Sequence, residues 1–150
     1  MGFVVPDLSG STQQPLAAGQ WEVRFVKFAS GESTVKKTPY VQPVWKVTDE
    51  DAVDIDGEPY KRNLYGDSFW LSEKAAWRLK KFADSAGVEL PEKDTEYDSL
   101  AEYAADLTEL FEGLEGLAVT EVERYARKED DPDDEDNWTG VKAVVTEYKF

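Results

Sequence analysis

Basic residues and aromatic rings interleave through the first half of the chain. Arg24 and Lys27 flank Phe25 and Phe28, Lys36 and Lys37 precede Tyr40, Lys46 follows Trp45, and Lys61 and Arg62 lie close to Tyr60 and Tyr65. Holding an unpaired polynucleotide requires this pairing of types: cations for the backbone phosphates and flat rings on which bases stack, at roughly 1–3 kcal/mol per base. Arg24, Lys27, Lys36, Lys37, Lys46, Lys61 and Arg62 are therefore the candidate phosphate contacts, and Tyr40, Tyr65 and Trp70 the candidate stacking rings. Trp21, Phe25 and Trp45 share apolar faces and read as core, while Tyr40, Tyr60 and Tyr65 sit on mixed faces where core and ligand contact are equally open.

A second constellation is acidic. Glu129, Asp130, Asp131, Asp133, Asp134, Glu135 and Asp136 place seven carboxylates in eight residues. Hard cations want several oxygens, but the EF-hand template fails, because Asp136 stands where its glycine must be and Lys142 where its terminal glutamate must be. No metal site is expected. The run reads as a solvated hairpin loop kept extended by like-charge repulsion, and as a candidate docking element for a basic partner. Catalysis finds little support. With no histidine and no cysteine, Ser-His-Asp triads, HExxH zinc sites, thiolate nucleophiles and Cys-ligated metals are excluded. Glu121 and Glu123 share a strand face, but no third orienting group or glycine-rich phosphate cradle accompanies them. The expectation is a protein that is not an enzyme and needs no cofactor.

The net charge of −15 argues at first against any nucleic-acid partner, since phosphate binding rests on Lys and Arg. The charge is unevenly placed, however. Residues 1–83 carry eleven basic and eleven acidic side chains, whereas residues 84–150 carry six and twenty-one, so the second part owns the whole excess. With 41% apolar and 13% aromatic residues, the chain is too hydrophobic for a disordered acidic tail. Its 150 residues suit one domain. No signal-peptide core or membrane-length apolar run is present, so the expectation is a soluble, cytoplasmic protein with no membrane partner.

Periodicity orders the elements that must position these groups. Residues 1–18 read as an irregular leader, and 19–150 as a single domain. Trp21, Val23 and Phe25 alternate with Glu22 and Arg24 as in a half-buried strand, which Ser30-Gly31-Glu32-Ser33 ends. A second strand runs from about 37 to 48; Pro39 and Pro43 cannot donate to a ladder, which predicts an edge or bulged strand. An acidic turn centred on Asp56-Gly57 leads to a third strand over 60–71. Ser72 then caps a helix that stops at Gly87, and a second helix spans 99–111 with Leu100, Ala104, Leu107 and Phe111 on one stripe. Strands over 117–127 and 138–148 close the chain around the acidic loop 129–137. The order is β-β-β-α-(α)-β-β, mainly β with one or two helices. It matches an OB-fold-like five-stranded barrel, whose helix commonly lies between the third and fourth strands; the order also fits a small α+β sandwich.

In this order the residues resemble a known family. Gly19-Gln-Trp21-Glu-Val23-Arg-Phe25, a Ser/Lys-rich turn, Tyr40-x-x-x-Val44-Trp45-x-Val47, Lys61-Arg62-Asn-Leu64, Phe69-x-Leu71, Leu79-Lys-Lys-Phe82-Ala-Asp-Ser-Ala86-Gly87 and Leu114-Glu-Gly116-Leu-Ala-Val119 are similar to a pattern in small phage-encoded proteins. These are catalogued as a domain of unknown function and regarded as OB-fold single-stranded-DNA-binding proteins of replication and recombination modules. The resemblance covers residues 18–150 in element order and hydrophobic spacing. It implies an OB barrel, unpaired DNA bound with little sequence preference, no cofactor, and the host cytoplasm as compartment. Such proteins commonly end in an acidic tail that recruits replication or recombination partners. This chain ends Tyr148-Lys149-Phe150, so any such recruitment falls to the internal 129–136 run.

Two functions lead, ahead of a structural or assembly protein that pairs through its apolar strands. The first is single-stranded-DNA binding along the first three strands, compatible with a homo-oligomer. The second is an acidic interaction protein or DNA mimic that captures a basic host protein through rows such as Asp94, Glu96, Asp98, Glu102, Asp106 and Glu109, several of which share a helix face at four-residue spacing.

Overall fold

A computed structural model describes residues 13–92 and 94–150. Strands β1 (Gly19–Glu32), β2 (Pro39–Val47), β3 (Asn63–Tyr65) and β4 (Phe69–Trp70) precede helices α1 (Trp77–Ala86) and α2 (Leu100–Leu110); β5 (Glu115–Tyr125) and β6 (Gly140–Lys149) follow. All six strands form one antiparallel sheet in the order β3-β2-β1-β5-β6, with β4 also paired to β2. The mainly-β class with two helices is as expected. Among the described residues the strands number six rather than five, and no ladder joins β3 to β6 to close the sheet.

The extra strand comes from a break in the expected 60–71 run. Gly66-Asp67-Ser68 separates β3 from β4, opposite Pro43. The Gly66 N–H donates to the Pro43 carbonyl at 2.9 Å, but proline has no N–H to return, so the pair cannot complete itself. A Cβ at Gly66 would also collide with the Tyr148 hydroxyl and the Pro43 ring. The prolines thus do not make β2 an edge strand. It lies between β1 and the β3–β4 pair, and the irregularity they announced is carried by this gap and by a bulge on β1 between Phe25 and Lys27. β1 also runs through Glu32, beyond the turn residues expected to end it.

The helices follow their spacing with one displacement. Ser72 does not cap α1: its carbonyl accepts from Ala75 and Ala76 in a preceding turn, and the helix begins at Trp77 without a side-chain cap. Gly87 ends it in the left-handed conformation at φ 72°. In α2 the Ser99 hydroxyl accepts from the Glu102 N–H at 3.2 Å and the Glu102 carboxylate reaches back toward Asp98 N, a local capping arrangement. Asp106 is engaged too, accepting from the Tyr97 hydroxyl. That bond is the main reason the Tyr97 phenol is pushed up to about 12.

Alternating residues of the strands send Val23, Phe25, Phe28, Val41, Trp45 and Leu64 to one side, where both helices cover them. Phe82 of α1 sits among the rings: Phe111 at 5.5 Å, Phe69 at 5.1 Å, Trp45 at 6.2 Å and Tyr148 at 5.2 Å between centroids. Trp45 Nε1 donates to the Tyr148 hydroxyl at 3.1 Å, linking β2 to β6 across the gap that lacks a ladder. Leu16, fully buried, is drawn in by an isolated bridge to Asp54, and Pro15 and Ala17 bond to Ile55 and Val53 beside it, so residues 13–18 of the expected irregular leader are tied to the domain; residues 1–12 lie outside the described residues.

Truncating Phe82 to Ala should destabilise the fold by about 3–5 kcal/mol, the usual cost of an aromatic-sized core cavity; chemical denaturation measures it. A second expectation concerns pH. Burial pushes the Tyr148 phenol up, against a smaller lowering by the Trp45 bond. Above about pH 10, the ordinary phenol value, the unfolded chain loses this proton while the folded chain keeps it, so stability falls as pH rises. Thermal melts should show wild type losing stability more steeply than Tyr148→Phe over this range, with the variant the less stable of the two at pH 7. Equal alkaline slopes would remove Tyr148 from the account.

Candidate nucleic-acid interface

Residues directly opposite in a ladder share a face of the sheet, so the pairing register fixes what lies outside. Lys46 pairs with Arg24 on one side and Asn63 on the other, and Arg24 with Glu115. The next outward row is Lys27, Val44 and Tyr65. Beyond it come Ala29 with Gln42, and then Gly31, Tyr40 and Trp70. The partners in the intervening rows, Phe25, Trp45 and Leu64, point into the core.

Six of the ten expected contact residues therefore share one face: Arg24, Lys27, Tyr40, Lys46, Tyr65 and Trp70. From Tyr40 to Lys46 this face runs roughly 20 Å at about 3.3 Å per residue. Tyr65 is 55% exposed. Tyr40 and Trp70 meet edge to face with centroids 5.1 Å apart, and the Tyr40 ring lies over Gly31, where a Cβ would strike it. Val44 is 0% exposed although it faces outward, and it flanks Lys27 and Tyr65 as an apolar floor between them.

The other four candidates lie at the ends. Lys36 and Lys37 are at the tip of the β1–β2 hairpin, just past Tyr40; the turn is closed by Ser33 N to the Thr38 carbonyl at 2.9 Å, with Lys37 at φ 51°. Lys61 and Arg62 precede β3 and are exposed. Arg62 lines a groove of about 640 Å³ with Tyr60, Gln13, Thr139 and Arg127. Arg127 is a cation that the sequence reading passed over, because it directly precedes the acidic run.

Arg24 and Lys46 stand directly opposite one another, and like charges at paired positions repel. Glu115, opposite Arg24 on β5, offsets part of this for Arg24 and leaves Lys46 with no acidic residue directly opposite it. Neither is in an ion pair. Among the described residues the one ion pair within 4 Å is Lys80–Asp84, in a chain with 32 carboxylates. An anion lying across the face would relieve this repulsion.

The acidic run is more folded than like-charge repulsion predicts. Asp130 accepts from the Thr139 and Arg127 backbone N–H groups, each at 2.8 Å, and from the Thr139 hydroxyl. These bonds hold its carboxyl below the ordinary aspartate value. Asp131 accepts from Asp133 N, Asp134 from the Asn137 amide, and Arg124 donates to the carbonyls of Asp136 and Trp138. A short 3₁₀ turn covers Glu135–Asn137. Backbone donors thus offset part of the repulsion and compact the loop. Among the described residues no group of carboxylates is arranged to hold a metal ion. Arg127 and Thr139, at the base of this loop, line the groove beside Arg62, so the run emerges next to the Lys61–Arg62 end of the face.

Among the described residues no helix is long and apolar enough to cross a membrane. No family model matches the chain, and no curated protein matches it.

Proposed function

We propose that this protein binds single-stranded DNA across the outer face of β1, β2, β3 and β4, with little sequence preference. The observation that carries the reading is the unpaired, directly opposed Arg24 and Lys46 on a face that also presents Lys27, Tyr65, Tyr40 and Trp70. Sequences break a local rule of sheet stability where function requires it. Phosphates lie along the Arg24–Lys46–Lys27 cations, and Tyr65 and the Tyr40–Trp70 pair stack bases. Lys36 and Lys37 extend the path at one end, Lys61 and Arg62 at the other. Ring faces accept any base, which makes the binding sequence-tolerant.

The strand order supports an OB architecture: β1 pairs with both β2 and β5, and the helices lie between the strand groups. The resemblance to phage single-stranded-DNA-binding proteins leads to the same place, and to a role in replication or recombination. The acidic run beside Arg62 suits recruitment of basic replication or recombination proteins, and it repels DNA that strays toward it.

Fluorescence anisotropy with labelled oligo-dT at low salt tests this. Lys46→Gln should weaken binding several-fold or more and flatten the dependence of log K on log salt by about 0.7, the single-strand value for one lost phosphate contact. The same variant should melt no lower than wild type, because it removes the repulsion from Arg24; a merely structural lysine would give a lower melting temperature and an unchanged salt slope. Wild-type protein that shows no binding at tens of micromolar would overturn the proposal. Converting Asp133, Asp134, Glu135 and Asp136 to their amides should tighten binding, with the gain fading toward high salt as screening shortens the range of the field; anisotropy titrations at two ionic strengths measure it.

A further inference from the structure

Helix α1 carries a constellation that the outer face does not use. Its first residue, Trp77, is 57% exposed, and the Arg78 guanidinium lies 5.6 Å from the centre of its ring. Lys81, one turn on, joins them along a groove of about 520 Å³ between α1 and the Val145–Tyr148 part of β6, with Phe69 and Phe82 also in its lining. Among the described residues neither Arg78 nor Lys81 has an ion-pair partner, whereas neighbouring Lys80 is held by Asp84 at 2.5 Å. A large ring left in water beside two unpaired cations forgoes burial and charge pairing together. An aromatic group attached to an anion would satisfy all three side chains, and a nucleotide unit is such a ligand.

The groove also adjoins the outer face. Asp67 and Phe69, which line it, come just before Trp70. Trp70 pairs outward with Tyr40, while Phe69 turns inward onto Phe82 at 5.1 Å. Among the described residues β4 pairs only with β2, so its far side is a sheet edge. A strand that crosses the face and leaves past Trp70 rounds this edge into the groove. Asp67 and Glu147 also line it, and their carboxylates repel phosphate, which directs the backbone to the α1 side where Arg78 and Lys81 lie.

We propose that the α1–β6 groove is a second subsite for the same DNA strand, with Trp77 stacking a base and Arg78 and Lys81 holding the adjoining phosphate. This rests on the outer-face reading, and the test separates the two. Anisotropy is measured with a dT oligomer of about 6 nucleotides, enough for the face alone, and one of about 20, enough to round the edge. Trp77→Ala should weaken the long oligomer by roughly 5- to 150-fold, the range that about 1–3 kcal/mol of stacking represents, and leave the short one unchanged. Trp77→Phe should restore part of the loss. Arg78→Gln with Lys81→Gln should flatten the salt slope on the long oligomer alone, by about 1.4. Circular dichroism confirms that these surface variants fold. Unchanged affinity and slope on the long oligomer, or equal losses on both lengths, would overturn the second subsite while leaving the outer face in place. Wild-type protein that binds neither oligomer would overturn the outer-face reading, and this one with it.

Discussion

The sheet has two ends, β3 and β6, that no ladder joins, and aromatic side chains hold them in place instead. Trp45 reaches from β2 to the Tyr148 hydroxyl of β6 at 3.1 Å, and Phe82 packs on both rings from the helix beneath. The rest of the molecule depends on this knot. It sets how far the sheet curls, and therefore where the outward rows stand relative to α1. The buried indole and the partly buried phenol tolerate the site because the phenol oxygen accepts from the indole N–H. Gly66 is the complementary concession: it allows the chain to pass Tyr148 and Pro43 where any side chain would strike them. Closure by rings in place of hydrogen bonds leaves the strand edges at the gap available, and the grooves along β6 are the result.

Curling the sheet around this knot also sorts the charges. Both helices lie on the core side of the strands, with Phe28 N bonded to Thr108 of α2 at 3.0 Å. The acids of α2 are thus separated from the outer cations by a sheet and a layer of side chains. Packed layers stand about 10 Å apart, more than the roughly 8 Å over which salt screens a charge at physiological strength. A chain of net charge −15 can therefore present a locally positive face. The acids of α2 are also less free than a row of letters implies, because Glu102 caps its own helix and Asp106 holds Tyr97. A mimic of nucleic acid needs its carboxylates unoccupied and regularly spaced, and two members of this row already have structural partners.

How much of this was legible beforehand depended on the range of the forces involved. Local signals read well apart from the Ser72 cap: the period-2 run at Trp21–Phe25 became β1, Gly87 ended α1, and the 99–111 stripe became α2. Strand faces were legible for the same reason, since alternation alone places Lys46 and Tyr40 opposite Trp45. What failed was long-range. Gly66-Asp67-Ser68 is a local break signal inside the 60–71 run, but the partners that fix the break there, Pro43 and Tyr148, are distant in sequence. The compact acidic loop was missed because composition reports repulsion, while backbone donors such as those of Thr139 and Arg127 are invisible in it. Trp77 carried no signal of its own in the sequence; only the packing of α1 through Phe82 on Phe69 leaves its ring in water.

Arg62 and Arg127 bring the two halves of the charge distribution into contact. They share a groove at the base of the acidic hairpin, so the cationic path ends where the carboxylates begin. A polyanion entering there meets a field that reverses sign within a few residues of chain. The hydrogen bonds that fold the loop matter for this boundary. An extended run of seven carboxylates could sweep across the face and compete with DNA for its cations, whereas a loop clasped through Asp130 and Thr139 is held to its own end. On the proposed function, the net charge limits where DNA would lie without forbidding its binding. The strand would be confined to the outer rows, bounded by the acidic hairpin at one end and free to continue past Trp70 at the other.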